Sequence, residues 1–183
     1  MMDRFPGDPV DGFPAPPRTF TDSEGREIEL REVDPGAVEA LVEMYLAFDP
    51  QDRAQGIPPV SEDAIREWLD VVTGPEAFGV VASHGDSAVG HVMLVSDERG
   101  AYELAIFVLQ DYQGAHIGTE LIRTALGLAE REGIERVWLS VERWNSPAIS
   151  LYRKVGFERV GDESFELEMA LRLDTHNQTE RVG

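Results

Sequence analysis

The segment Asp111–Ile122, DYQGAHIGTELI, puts two glycines and an alanine where an apolar run, LAIFV, gives way to a helix-like period. A helix start leaves about four backbone N–H groups without internal acceptors, and these carry partial positive charge. Gly114, Ala115 and Gly118 add so little bulk that another molecule can approach this backbone closely. The chemistry on offer is the holding of phosphate. Gln113, Gly114, Ala115, His116, Ile117, Gly118 and Thr119 are therefore the candidate residues for a pyrophosphate-bearing ligand. A P-loop needs Gly-Lys-Ser/Thr and a dinucleotide fingerprint needs G-x-G-x-x-G in a parallel unit; the segment has neither.

The elements that position this mouth can be read around it. REIELREV (26–33) alternates like a strand. Asp34 and Pro35 signal a helix start, with Val38, Leu41, Val42 and Tyr45 on one face. Ser61 caps a second helix whose apolar stripe is Ile65, Trp68, Leu69 and Val72. Residues 77–108 read as three strands joined by the turns HGD and DERG, an antiparallel meander. A helix over about Gly118–Glu132 follows, with Leu121, Ile122, Ala125, Leu126 and Ala129 as its buried stripe. RVWLSV is a strand. NSPAISLYRKVGF is a short helix with Ser146 as expected N-cap and Gly156 at its end. Two more strands, about 157–161 and 164–173, close the chain. The fold class is α+β: a mostly antiparallel, twisted sheet of about seven strands flanked by four helices. One parallel pair spans the phosphate-holding helix. Residues 1–20, with five prolines and no hydrophobic period, are expected to be a flexible arm. A single domain then covers 21–173, and 174–183 is a flexible tail.

Composition narrows the function classes. The 183 residues contain no Cys, so disulfides, thiolate zinc sites and a Cys nucleophile are excluded. His84 and His91 show no metal-ligand spacing, and no metal is expected. No apolar run approaches a membrane span, and the N-terminus lacks the apolar core of a secretory signal, so a cytoplasmic protein is expected. The net charge of −19 repels nucleic-acid phosphates and anionic lipids. Lys154 is the sole lysine among 16 basic residues. An acidic, lysine-poor surface suits a halophilic, high-salt cytoplasm; a GC-rich genome that favours Arg codons is the alternative.

The phosphate-holding segment and NSPAISLYRKVGF, in that order and separated by one helix and one strand, resemble the GNAT superfamily of acetyl-CoA-dependent N-acetyltransferases. Gln113 and Gly118 take the outer places of its Q/R-x-x-G-x-G/A loop, and His116 replaces the middle glycine. A His there would be costly if the position needs positive φ. YELAIFVLQDYQG is also similar to a stretch of bacterial protein-lysine acetyltransferases of this superfamily. The resemblance covers about 26–173 and implies acetyl-CoA as co-substrate. It implies an amine-bearing small molecule or a protein as acceptor. Dimerisation through the last strands is left open.

Acetyl transfer to an amine needs a base, an oxyanion donor and an acid for the leaving thiolate. By resemblance Glu103 is the base. Alternation puts it on one face with Ala105 and Phe107, a face that could equally be solvated. Glu142 and a chain of waters are the other routes. By resemblance Tyr152 is the acid and Asn145 bonds the pantetheine arm or the tyrosine; a core tyrosine and a turn-making asparagine are the plain alternatives. Backbone groups of Phe107 and Val108 should pair with pantetheine amides, and one of their N–H groups should face the oxyanion. His116 either meets phosphate or faces solvent. Trp68, Trp138 and Trp144 are expected in core or rim. In the superfamily, the region of residues 48–70 covers the acceptor site, where Asp49, Asp52, Glu62 and Asp63 could attract a cation. A CoA-binding regulatory module without turnover, or the use of another acyl-CoA, are the competing functions.

Overall fold

The computed structural model describes residues 5–49, 58–163 and 166–175. Strands β1 (Arg18–Thr21) and β2 (Glu27–Glu32) lead to helices α1 (Val38–Leu46) and α2 (Glu62–Val72). The meander follows as β3 (Ala77–His84), β4 (Ser87–Ser96) and β5 (Tyr102–Val108). Then come α3 (Ile117–Arg131), β6 (Arg136–Glu142), α4 (Ser146–Val155), β7 (Glu158–Glu163) and β8 (Glu166–Arg172). The sheet order is β1-β2-β3-β4-β5-β6-β8-β7. Among the described strands only β5 and β6 pair in parallel, with α3 as the crossover between them.

Each face of the sheet is covered for a reason visible in the helix periods. On one face, α3 buries Leu121, Ile122, Ala125, Leu126 and Ala129 completely against Leu30, Val80, Val92, Leu94 and Leu104. Each large aliphatic side chain removed from water there contributes about 2 kcal/mol. On the other face, Leu41, Val42, Met44 and Tyr45 of α1 and Ile65, Leu69 and Val72 of α2 pack on Val81, Ala88 and Met93. Ser61 caps α2 as expected, its Oγ accepting from Ala64 N at 3.2 Å. No described helix is long and apolar enough to cross a membrane.

Three features differ from the sequence reading. The sheet has eight strands, since Arg18–Thr21 pairs with Glu27–Leu30 from within the segment expected to be a flexible arm. The rest of that arm, from Phe5 on, makes contacts with the domain. Val10 N donates to Arg172 O at 2.8 Å and Asp174 N donates to Val10 O at 2.9 Å. Val10 and Phe13 pack against the core, and Pro16 is buried. The Pro14 backbone crosses α3 so closely that a β-carbon on Gly127 would lie 2.1 Å from its carbonyl oxygen. Proline-rich composition hid this, because prolines give no hydrophobic period even where they bury surface. Finally, Asn145 rather than Ser146 is the N-cap of α4, its Oδ1 accepting from Ala148 N at 3.3 Å.

Candidate active site

The parallel pairing of β5 with β6 is confined to Tyr102↔Val137 and Glu103↔Trp138. Beyond those pairs the strands part, leaving a cavity of about 660 Å³. Ile106, Phe107 and Val108 line it from β5. Gln113, Gly114, His116, Gly118 and Thr119 line it from the turn into α3. Asn145, Ala148, Leu151 and Tyr152 of α4 face it, and Phe48 and Trp144 complete its rim. Ala115 and Ile117 are buried in the core and do not line the cavity.

The turn into α3 is built to leave its amides open. Gln113 N donates to Gln110 O at 3.2 Å, which removes Gln113 from the run of open amides expected from the sequence. The next amide with an acceptor is Glu120 N, to His116 O at 3.2 Å. The six amides of Gly114–Thr119 donate to nothing among the described residues. Two left-handed residues shape this run, Gly114 at φ 74° and His116 also at φ 74°. The costly case foreseen for His116 therefore applies. His116 is held by a hydrogen bond between its Nδ1 and Ser23 Oγ at 2.5 Å.

The open edge of β5 corrects one residue. Leu109 N donates to Val89 O on the β4 side. By alternation Phe107 also turns its N–H and C=O to β4, while Ile106 and Val108 turn theirs to the gap. Phe107 thus brings its ring rather than its backbone to the cavity. Val108 keeps an open N–H, but its carbonyl accepts from Gln113 Nε2 at 3.0 Å.

Tyr152 is mostly buried, meets Phe157 edge-to-face at a centroid distance of 6.0 Å, and its hydroxyl has no partner among the described residues. Burial pushes that hydroxyl up to about 12. Glu103 lies on the face of Ala105 and Phe107, as alternation requires, but it does not line the cavity, and neither does Glu142. Glu103 is exposed yet crowded. Lost hydration, then the carboxylates of Glu166, Asp97 and Glu168, raise its pKa above the usual glutamate value.

Behind Phe107 stands an aromatic cluster. The Tyr45 ring lies 5.0 Å from Trp68, 5.8 Å from Phe107 and 6.1 Å from Phe48. The Tyr45 hydroxyl and His91 Nδ1 share a hydrogen bond of 2.7 Å. His91 is fully buried, and burial lowers its pKa to about 3, so it is neutral. Trp138 donates from Nε1 to Asp97 Oδ2 at 3.0 Å. Trp144, 76% exposed, is the rim tryptophan. Sequence reasoning missed Phe48, Leu151 and Ser23. Phe48 ends an apolar helix stripe and reads as core, and nothing local in Ser23 points to a loop 93 residues away. Of the acidic residues foreseen near the acceptor, Asp52 lies outside the described residues and Glu62 is paired with Arg66 at 3.2 Å.

Residues 38–157 match the Acetyltransferase (GNAT) family. The chain is 30% identical over 116 residues to an uncharacterised N-acetyltransferase of Mycobacterium tuberculosis, spanning 63% of this chain and 70% of that protein. Its backbone superimposes on the GNAT domain of S. lividans PAT with a TM-score of 0.73, at 17% identity, over 86% of this chain and 97% of that one. A similar likeness, TM-score 0.63 at 20% identity, covers 79% of this chain and 98% of the PaiA N-acetyltransferase from Thermoplasma acidophilum, whose crystal structure is a complex with coenzyme A.

Proposed function

The chain belongs to the Acetyltransferase (GNAT) family and is an N-acetyltransferase, and from that premise we propose that it moves an acetyl group from acetyl-CoA directly to a primary amine in a ternary complex. The observation that carries this reading is the run of six unpartnered amides, Gly114–Thr119, at the mouth of α3. Converging N–H donors at a helix start hold a diphosphate without any lysine. The thioester arm then lies in the gap between β5 and β6. There the open N–H groups of Ile106 and Val108 pair with its amides as a neighbouring strand would. Of the two amides expected to face the oxyanion, that of Val108 is on the open edge. The coenzyme's diphosphate and thioester supply the anchor and the activated acyl group.

Tyr152 holds the proton that the leaving sulfur needs. With its pKa pushed up to about 12, the hydroxyl stays protonated and donates as the thiolate departs. Asn145 spends Oδ1 on capping α4 and keeps its amide hydrogens for the arm or the tyrosine. Glu103 sits outside the cavity lining, on the face from which an amine reaches Phe107, so it takes the amine's proton through intervening water. Its raised pKa makes it a stronger base than an ordinary glutamate. The acceptor enters beside Phe48 and Trp144, and both protein lysines and small amines fit such an opening.

Thiol release from acetyl-CoA with a panel of amines and peptides tests the reading. Tyr152→Phe should lower kcat by about a hundredfold or more while CoA still binds. Tight CoA binding with no thiol release for any amine would make the protein a ligand-sensing module instead.

A further inference from the structure

We propose that Ser23, in the turn between β1 and β2, is a positioning residue for the diphosphate loop. It makes a histidine usable where the loop demands a left-handed backbone. The inference rests on the coenzyme site proposed above. The loop needs positive φ at residue 116, and side chains other than glycine adopt that region only at a cost. His116 sits there at φ 74°. Its ring is pinned by Ser23 Oγ at 2.5 Å, and Ser23 N also donates to Ala115 O at 3.2 Å, one residue before.

The turn that presents Ser23 is itself fixed. The buried Asp22 carboxylate accepts from Glu24 N at 3.0 Å, from Arg26 N at 2.9 Å and from Arg26 Nε at 2.7 Å. Arg26 continues to the same loop, donating from Nη1 to Asp111 O at 3.2 Å and lying 4.1 Å from the centre of the Tyr112 ring. The hairpin thus grips the segment before the open amides and the residue in their midst. It makes no contact that a phosphate would need.

Without this grip His116 relaxes toward the right-handed region and turns neighbouring amides out of the cavity. Only the fraction of molecules that keeps the left-handed loop can then bind, and apparent affinity falls by that fraction. Glycine at residue 116 would pay no such cost, so the brace and the histidine form a compensating pair.

A double-mutant cycle reads this directly. CoA affinity is measured by calorimetry for the parent protein, Ser23→Ala, His116→Gly and the double variant. The KM values for acetyl-CoA and for the amine are followed in parallel. Ser23→Ala alone should weaken CoA binding by about threefold to tenfold and raise the KM for acetyl-CoA, leaving the KM for the amine unchanged. Added to His116→Gly, the same change should cost less than about twofold. Ser23→Thr, which keeps the hydroxyl, should restore affinity. An equal loss from Ser23→Ala in both backgrounds would overturn the proposal, since Ser23 would then act on the ligand or on the fold at large. No loss in either would overturn it too. A parent protein that does not bind CoA would instead remove the site on which the proposal stands.

Discussion

Acidification from about pH 7 to about pH 5 should cost this protein about 2 kcal/mol through His91 alone. The group is neutral in the folded state because burial lowers its pKa to about 3, and unfolding returns it to the ordinary value of about 6.5. Between those values the unfolded chain binds one proton more than the native one. Stability therefore falls as pH drops, by about 1.4 kcal/mol per unit, beginning near the unfolded value. By pH 5 the loss is about 1.5 units' worth, less the small part already present at pH 7. The many carboxylates titrate as well, so the wild-type curve does not isolate this effect. The comparison that does is His91→Asn, whose side-chain oxygen can accept from the Tyr45 hydroxyl but whose amide does not titrate. Urea unfolding of both proteins, at half-unit steps between pH 7 and pH 5, gives the difference in stability. The gap between them should narrow, or reverse in favour of the variant, by about 2 kcal/mol across that range. Parallel curves would mean that His91 is hydrated or charged in the folded protein, and that the closed packing of α1 on β4 described here is wrong.

Other perturbations follow from the same geometry. Glu103→Gln should lower kcat/KM and abolish its rise on the acid limb, because a base with a raised pKa becomes active only as pH climbs through that value, above the ordinary glutamate range; an unchanged pH profile would leave proton removal to water or Glu142. Gly127→Val should dislodge the Pro14 segment from α3 and destabilise the fold by about 1–3 kcal/mol in chemical denaturation, while a wild-type midpoint would show that the segment does not rest there. Folding and thiol release should both improve toward molar KCl if the net charge of −19 reflects a salt-rich setting; full activity in dilute buffer with loss in molar salt refutes that.

The fold was legible wherever a period was long enough to count. The stripe from Leu121 to Ala129 located α3 within one residue, and the turns HGD and DERG delimited β3, β4 and β5. β1 was not legible, because four residues directly after a run of prolines carry too little alternation to separate from a loop. The phosphate-holding turn could be read because bulk and helix polarity are local properties of the sequence. The turn of the Phe107 backbone toward β4 could not, since it depends on which partner strand takes the odd positions. Nor could the distance of Glu103 from the cavity, which is set by where β5 and β6 stop pairing. Ser23 was invisible for a third reason. Its role exists only through a contact spanning half the chain.

The two residue pairs that join β5 to β6 divide the sheet into a five-stranded and a three-stranded leaf. With so short a seam, the leaves share few backbone hydrogen bonds, and the exposed row on β5 behaves as an interior edge. A molecule seated in the gap would bond to the open edge of β5 and rest against α4 on the other side. Hydrogen exchange at Ile106 and Val108 should then slow sharply on loading, and the temperature of unfolding should rise with coenzyme concentration. Substrate supply would in this way set how rigid the enzyme is, so that its lifetime against proteases follows the acetyl-CoA level around it.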